Sequence, residues 1–151
     1  MPFTHSLTPP PLHGFRGDAT PPPPGRPRGL TVAVSRESGA RGNSIARRVG
    51  RQLGWQVFDQ EMLGYLTQDE AARREALADL PADARAWADT LADQLLRTRT
   101  AVTPDLAEFV RLVFALAARG EVVLVGRGGG AVLPADSTLN VRVIAPPAER
   151  V

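Results

Sequence analysis

Residues 35–48, SRESGARGNSIARR, have the composition of a phosphate-binding loop, and they directly follow the apolar run of residues 30–34. Such a loop needs inward-turned backbone N–H groups, glycines that permit the turn, and a helix N-terminus facing the anion. Gly39 and Gly42, just before a helical pattern, meet these needs. The motif GxxxxGK[ST] adds a lysine and a hydroxyl, and neither stands in its place here. The segment therefore predicts either a phosphate site or a structural turn.

The charges are unevenly distributed along the chain. All 18 basic residues are arginines, and the formal net charge of +2 is too small to indicate nucleic-acid binding. Residues 26–51 hold seven arginines against one acid, whereas residues 59–93 hold nine acids against three arginines. The basic stretch is either a solvated face or the surroundings of a polyanion, and only the loop within it can distinguish these two interpretations.

Composition excludes several classes of site. Without cysteine the chain has no disulfide framework, thiol nucleophile or zinc–thiolate centre. Both histidines, His5 and His13, fall in residues 1–29, which contain nine prolines and are predicted to be a disordered tail. No apolar run approaches the roughly 18 residues of a membrane span, and no signal-peptide core is present. We expect a cytoplasmic protein without membrane contact, with one domain over residues 30–151.

Regular apolar patterns begin at Leu30. They predict strands over residues 30–34, 55–58, 121–125 and 139–145, and helices over residues 43–53, 61–80, 84–97 and 104–119. The first helix carries Ile45, Val49 and Leu53 on one face, and Thr103 followed by Pro104 predicts a capped helix start. Strands that alternate with helices indicate an α/β fold with a mainly parallel sheet.

Three polar segments directly follow predicted strands: residues 35–44, 59–61 and 126–130. In parallel sheets, ligands bind outside the carboxyl ends of the strands. We therefore expect the three segments to converge on one site.

The chain resembles the cytidylate kinase family, most closely its divergent cytidylate kinase-like branch. The segments that carry the resemblance are SGARGNSIARRVGRQLGWQVFDQEML, VVLVGRGGGAVLPAD and LNVRVIAPPAER, in the family's order. They correspond to a phosphate loop similar to GxSGSGK[ST], a GWxxxD-like strand and a GRDxGTxxxP-like loop. The resemblance covers about residues 30–150. It implies a P-loop-type three-layer fold with a helical insertion between strands 2 and 3.

The activity that the resemblance implies is ATP-dependent phosphorylation of CMP or dCMP with Mg²⁺, so the expected partners are small nucleotides. Gly42 occupies the position of the family's lysine, which the divergent branch also lacks. Arg36 or Arg41 is expected to supply that charge. The residues expected to hold the donor phosphates are Gly39, Ala40, Arg41, Gly42, Asn43 and Ser44.

On the acceptor side, Asp59 matches the aspartate that ends the monophosphate-binding strand, and Arg127 matches the arginine of GRD. The resemblance implies that both contact the acceptor, and that Arg127 and Arg41 are the catalytic cations. Gly128 replaces the next aspartate, and a further family arginine falls at Tyr65. Judged by the residues alone, Asp59 is equally well a helix N-cap. For Arg127 the alternative is a surface arginine in a turn, but its flanking glycines favour ligand contact. No carboxylate ligand for Mg²⁺ is predicted.

In the family, an arginine-rich lid, a further helix and a last strand follow the segment that ends here at Val151. We therefore expect an incomplete domain that binds nucleotide weakly and does not turn it over alone. Two alternatives stay open: a catalytically inactive nucleotide-binding or regulatory module, and a non-functional fragment. The acceptor base, any protein partners and the oligomeric state are not predicted.

Overall fold

The structure, a computed structural model, describes residues 29–37, 39–126 and 132–149. Apart from Gly29, the predicted proline-rich tail lies outside these residues. The strands are β1 (Thr31–Arg36), β2 (Gln56–Phe58), β3 (Val122–Val125) and β4 (Thr138–Val143). The helices are α1 (Gly42–Leu53), α2 (Gln60–Gln68), α3 (Glu70–Ala76), α4 (Ala82–Arg97) and α5 (Pro104–Arg119).

The four strands form a parallel sheet in the order β2-β3-β1-β4. Strand β1 is one of the two inner strands, and Thr31 pairs with Val122 on one side and with Thr138 on the other. Helices α2 to α5 form the insertion between β2 and β3. The predicted α/β class and P-loop-type arrangement are confirmed.

Alternating side chains of the strands build two separate cores, one on each face of the sheet. On one face, Val32, Val34, Val123 and Val125 pack with Ala46 of α1. On the other face, apolar side chains of β2 and β3 pack against α2, α4 and α5. Helix α5 is the most deeply buried helix, because every residue from 112 to 118 is buried. The result is three layers: α1, the sheet, and the inserted helices.

The buried stripe of α1 differs from the apolar face that the sequence predicts. Ile45 and Leu53 are 43% and 48% exposed, and Val49 is only partly buried. The buried residues lie on the adjacent stripe, again at intervals of four, and are Gly42, Ala46 and Gly50. Small residues form the buried stripe because they let the axis of α1 lie close to the sheet. A methyl group on Gly50 would lie 2.3 Å from Val57 Cγ2 and 2.9 Å from the Trp55 carbonyl oxygen.

The predicted helix over residues 61–80 is also corrected, since it breaks at Asp69 into α2 and α3. The Asp69 carboxylate accepts a hydrogen bond from the Ala72 N–H at 2.9 Å, which caps the new helix. The Arg73 guanidinium donates to the carbonyl groups of Leu66 and Thr67, at 3.2 and 2.8 Å. These bonds satisfy acceptors that α2 leaves open at its C-terminus, so the break costs few hydrogen bonds.

The predicted start of α5 is confirmed. The Thr103 hydroxyl accepts a hydrogen bond from the Leu106 N–H at 3.2 Å, and Pro104 is the first helical residue. The helix ends at Gly120, whose φ of 71° lies in the left-handed region. A methyl group there would also lie 3.1 Å from the Gly29 Cα, so glycine suits this crossing for both reasons.

The close contact between α1 and β2 yields a first prediction. Gly50→Ala should lower the free energy of unfolding by about 1–3 kcal/mol, because the added methyl group overpacks the contact with Val57. Gly64→Ala is the matched control: Gly64 is also helical, and a methyl group there meets nothing within 4 Å. It should stabilise by about 0.4–1 kcal/mol. Urea unfolding of both variants tests this, and equal effects at the two glycines would contradict the close approach.

Candidate functional site

The connection from β1 to α1 has the backbone of an anion-binding loop. Gly39 and Arg41 both have left-handed conformations, with φ of 78° and 56°. Arg41 is the N-cap of α1, but its side chain makes no capping hydrogen bond. The first N–H groups of an α-helix have no acceptor within the helix, and its N-terminus carries a partial positive charge. The turn therefore leaves the start of α1 available to an anion.

Gly42 leaves no room for a side chain at the start of α1. A methyl group on Gly42 would lie 2.6 Å from Cδ and 2.7 Å from Cβ of Arg36. The aliphatic stem of Arg36 thus fills the space into which any side chain at position 42 would project. Arg36, at the end of β1, therefore passes beside the start of α1.

Two neighbouring clefts flank the loop. One, of about 380 Å³, is lined by Arg36 together with residues of the loop and the start of α1. The other, of about 640 Å³, lies between the loop, α1 and the segment after β4. Each of the predicted donor-phosphate residues lines at least one of the two clefts: Gly39, Ala40, Arg41, Gly42, Asn43 and Ser44. The structure therefore brings this predicted set together.

Arg48 lines the larger cleft but was not predicted as a site residue. It follows Ser44 by four positions, which places both residues on one side of α1. That spacing is the signal by which it could have been found. Together with Arg36 and Arg41, it puts three guanidinium groups around the clefts.

Asn43 holds a polar atom without a partner inside this site. Its Oδ1 is buried and has no hydrogen-bond partner within the described part of the chain. Buried side-chain polar atoms nearly always have one. The two atoms of an amide group can exchange places, so this position can offer either an acceptor or a donor to a ligand in the cleft.

Asp59 caps α2. Its Oδ1 accepts a hydrogen bond from the Met62 N–H at 2.8 Å, and its Oδ2 lies 3.6 Å from an Arg47 guanidinium nitrogen. The helix-cap interpretation of this residue is therefore correct. The ion pair joins α2 to α1, although the Arg47 side chain is 62% exposed. Ligand contact by Asp59 stays a prediction.

A separate apolar pocket of about 380 Å³ opens at the carboxyl edge of the sheet. Its floor is formed by the ends of β1 and β3, and apolar side chains of α2, α4 and α5 form its walls. Gln60, the residue after Asp59, and Arg99, in the connection from α4 to α5, are the polar side chains that line it among the described residues. Nothing in the sequence around Arg99 resembles a motif, so its place at this pocket could not be predicted.

The remaining acceptor-side predictions have different outcomes. Arg127 and Gly128 lie outside the described residues. Gly126, just before them, lines the apolar pocket, and its N–H donates to the Val34 carbonyl at 3.0 Å. Tyr65 is not among the lining residues of this pocket; it is half exposed on α2, with its hydroxyl 3.5 Å from Asp69.

Neither a metal cluster nor a membrane helix is found in the described ranges. No group of three or more histidine and carboxylate residues there could hold a metal ion. No helix among the described residues is long and apolar enough to cross a bilayer.

Comparison with known proteins decides the family. Residues 31–151 match the cytidylate kinase-like family. The chain belongs to this family. Membership confirms the resemblance that the ordered motifs indicated. No curated protein matches it.

One similar crystal structure is that of an uncharacterized protein from Eubacterium ventriosum ATCC 27560. The sequences are 15% identical, and the TM-score is 0.41. The match covers 80% of this cytidylate kinase-like chain and 56% of the other chain. This chain therefore spans little more than half the length of that protein.

The two contacts of Asp59 yield a second prediction. Asp59→Ala should cost about 0.5–2 kcal/mol of stability through loss of the helix cap. Asp59→Asn should cost less, because asparagine caps equally well, and Arg47→Ala should cost at most about 1 kcal/mol, since exposed ion pairs contribute little. Thermal unfolding of the three variants tests this. A loss for Asp59→Asn as large as that for Asp59→Ala would show that the charge, not the cap, matters.

Proposed function

We propose that this chain is a nucleoside-monophosphate kinase-like protein that transfers a phosphoryl group from ATP to CMP or dCMP. The proposal rests on one observation: the apolar pocket and a loop cleft both lie at the carboxyl end of strand β1. Val34 lines the apolar pocket and Arg36 lines a loop cleft, and both belong to β1. Two residues of a strand span roughly 7 Å. A donor at the loop and an acceptor in the pocket would therefore be close neighbours.

The donor side would bind the phosphates of ATP at residues 39–44. The start of α1 offers backbone N–H groups, while Arg36 and Arg41 offer charge. Phosphoryl transfer depends mainly on positioning and on neutralising the charge of the transferred group. Bound Mg²⁺ would add positive charge between the phosphates. Ser44, which lines the larger cleft, would contribute a hydroxyl ligand to it.

The acceptor side would place the nucleoside in the apolar pocket. Its volume falls within the range of small-molecule sites, roughly 300–1,000 Å³. Family membership supports Arg127 as an acceptor-side cation, and Asp59 directly precedes Gln60, which lines the pocket. We assign Arg127 and Arg41 to catalysis, and Asp59 and Arg127 to acceptor binding.

A second candidate function is nucleotide binding without transfer. The observation that favours it is Gly42, which stands where the phosphate-loop motif GxxxxGK[ST] has its lysine. Arg36 replaces the charge, but a planar guanidinium spreads its donors differently from a compact ammonium. A loop of this kind would hold phosphates without stabilising the transition state equally well. Turnover separates this candidate from the kinase.

Binding at the loop gives a third prediction. Arg41→Ala should weaken binding of Mg²⁺–ATP by about 1–3 kcal/mol, the effect of losing a charged hydrogen bond. Arginine and alanine both carry a Cβ, so the left-handed backbone at position 41 is equally strained with either residue. Arg51→Ala is the control, because Arg51 lies in the last turn of α1 and lines neither cleft. Titration calorimetry measures both. If Arg41→Ala and the unchanged chain bind Mg²⁺–ATP with equal affinity, the donor site lies elsewhere.

Turnover gives a fourth prediction. ADP formation from ATP should require CMP or dCMP in a longer version of the chain that continues through the family's lid region. Arg127→Ala should lower this turnover by about tenfold or more with ATP affinity nearly unchanged, because its charge would act on the acceptor side. A folded, ATP-binding longer version that phosphorylates no common monophosphate would instead favour the binding module.

A further inference from the structure

Arg99 is the one charged residue among the described lining of the apolar pocket. Its guanidinium makes no hydrogen bond or ion pair with any described residue. By contrast, five other arginines pair with carboxylates: Arg47, Arg73, Arg74, Arg111 and Arg142. Among the described residues, the Arg99 donors therefore have no acceptor, and they lie at the edge of an apolar site.

The end of α4 fixes where Arg99 leaves the helix. The Thr98 hydroxyl donates to the Leu95 carbonyl at 2.6 Å, and the Arg99 N–H donates to the Leu96 carbonyl at 3.2 Å. Leu95 lines the same pocket and precedes Arg99 by four residues, the spacing of neighbours on one side of a helical turn. The backbone thus holds Arg99 at the pocket although its side chain is exposed.

The other walls of the pocket are mostly apolar, in contrast to the charged Arg99, and this combination limits the ligands that can bind. Leu106 and Phe109 of α5 line the pocket and are still 36% and 37% exposed, so a ligand can cover them. An aromatic ring offers a stacking surface to a nucleobase. A guanidinium offers two parallel N–H groups to a phosphate, the geometry for which arginine is preferred. A nucleoside monophosphate combines both requirements in one molecule.

We propose that Arg99 binds the phosphate group of the acceptor nucleoside monophosphate, whose nucleoside lies against Phe109. This inference rests on the proposed function, since it assigns the pocket to the acceptor. It adds a phosphate-binding residue outside the three loop segments that the motifs mark. The phosphate, rather than the nucleoside, should therefore depend on Arg99.

The test compares CMP with cytidine. The affinity of each is measured by NMR titration on the unchanged chain and on Arg99→Gln. The unchanged chain should bind CMP more tightly than cytidine. Arg99→Gln should weaken CMP binding by roughly 10- to 100-fold, as expected for a lost hydrogen bond between charged groups, and leave cytidine binding nearly unchanged. Arg99→Lys should recover part of the loss.

Arg97→Gln is the matched control. Arg97 is exposed at the end of α4, two residues before Arg99, and does not line the pocket. It should change neither affinity. Because both arginines are exposed, neither variant should alter the thermal unfolding midpoint.

Three outcomes would overturn the proposal. Equal weakening of CMP and cytidine by Arg99→Gln would mean that Arg99 contacts the nucleoside instead. Undiminished CMP binding by Arg99→Gln would remove Arg99 from the site while leaving the proposed function standing. Failure of the unchanged chain to bind CMP would overturn both this inference and the acceptor side of the proposed function, whereas ATP titration tests the donor side separately.

Discussion

The candidate donor site depends on how closely α1 lies against the sheet. Ala46 is completely buried, and Gly50 leaves no room for a methyl group beside Val57. Larger residues on this stripe would push the helix outward and carry its N-terminus away from the end of β1. At Gly42 the same closeness lets the stem of Arg36 cross the start of the helix. One packing constraint thus sets both the loop and its cation.

The inner position of β1 explains why the sites converge there. Its carboxyl end is tied to neighbours on both sides, since the Gly126 N–H donates to Val34 and the Glu37 N–H donates to Val143. These bonds, at 3.0 and 3.1 Å, hold the strand end in register with β3 and β4. The apolar pocket opens on the side of the inserted helices, and the loop clefts open around the start of α1. A rigid strand end can therefore keep two ligands in fixed relation.

The arginines of this lysine-free chain do several different things. Around α1, Arg36, Arg41 and Arg48 line the clefts, whereas Arg47 pairs with Asp59. The basic stretch is thus partly the surroundings of a candidate anion site and partly ordinary surface. In the inserted helices, Arg73 closes the end of α2 and also lies 3.5 Å from Glu108 of α5. A guanidinium has enough donors for both tasks, which a lysine ammonium would perform less well.

The sequence by itself determined what depends on neighbours along the chain. The strands, most helix positions and the capped start at Thr103 follow from local periodicity and from side chains that bond within a few residues. The glycine-rich loop before α1 was recognisable for the same reason. The ordered motifs also indicated the family, which the match over residues 31–151 confirms.

Only the tertiary structure decided which of two equally spaced stripes of α1 is buried. The helical period fixes which residues share a stripe, but it does not fix which stripe faces the sheet. The leucine and isoleucine residues predict that the apolar stripe of α1 is buried. In the structure the stripe of glycine and alanine faces the sheet instead, because small residues let the helix pack more closely. At Asp69 the chain could either continue the helix or cap a new one. The capping hydrogen bond of Asp69 and the hydrogen bond from Arg73 to the end of α2 favour the break. The lining of the apolar pocket by Gln60, Arg99 and Gly126 could not be predicted locally, because the topology of the sheet and its inserted helices brings together residues far apart in the chain.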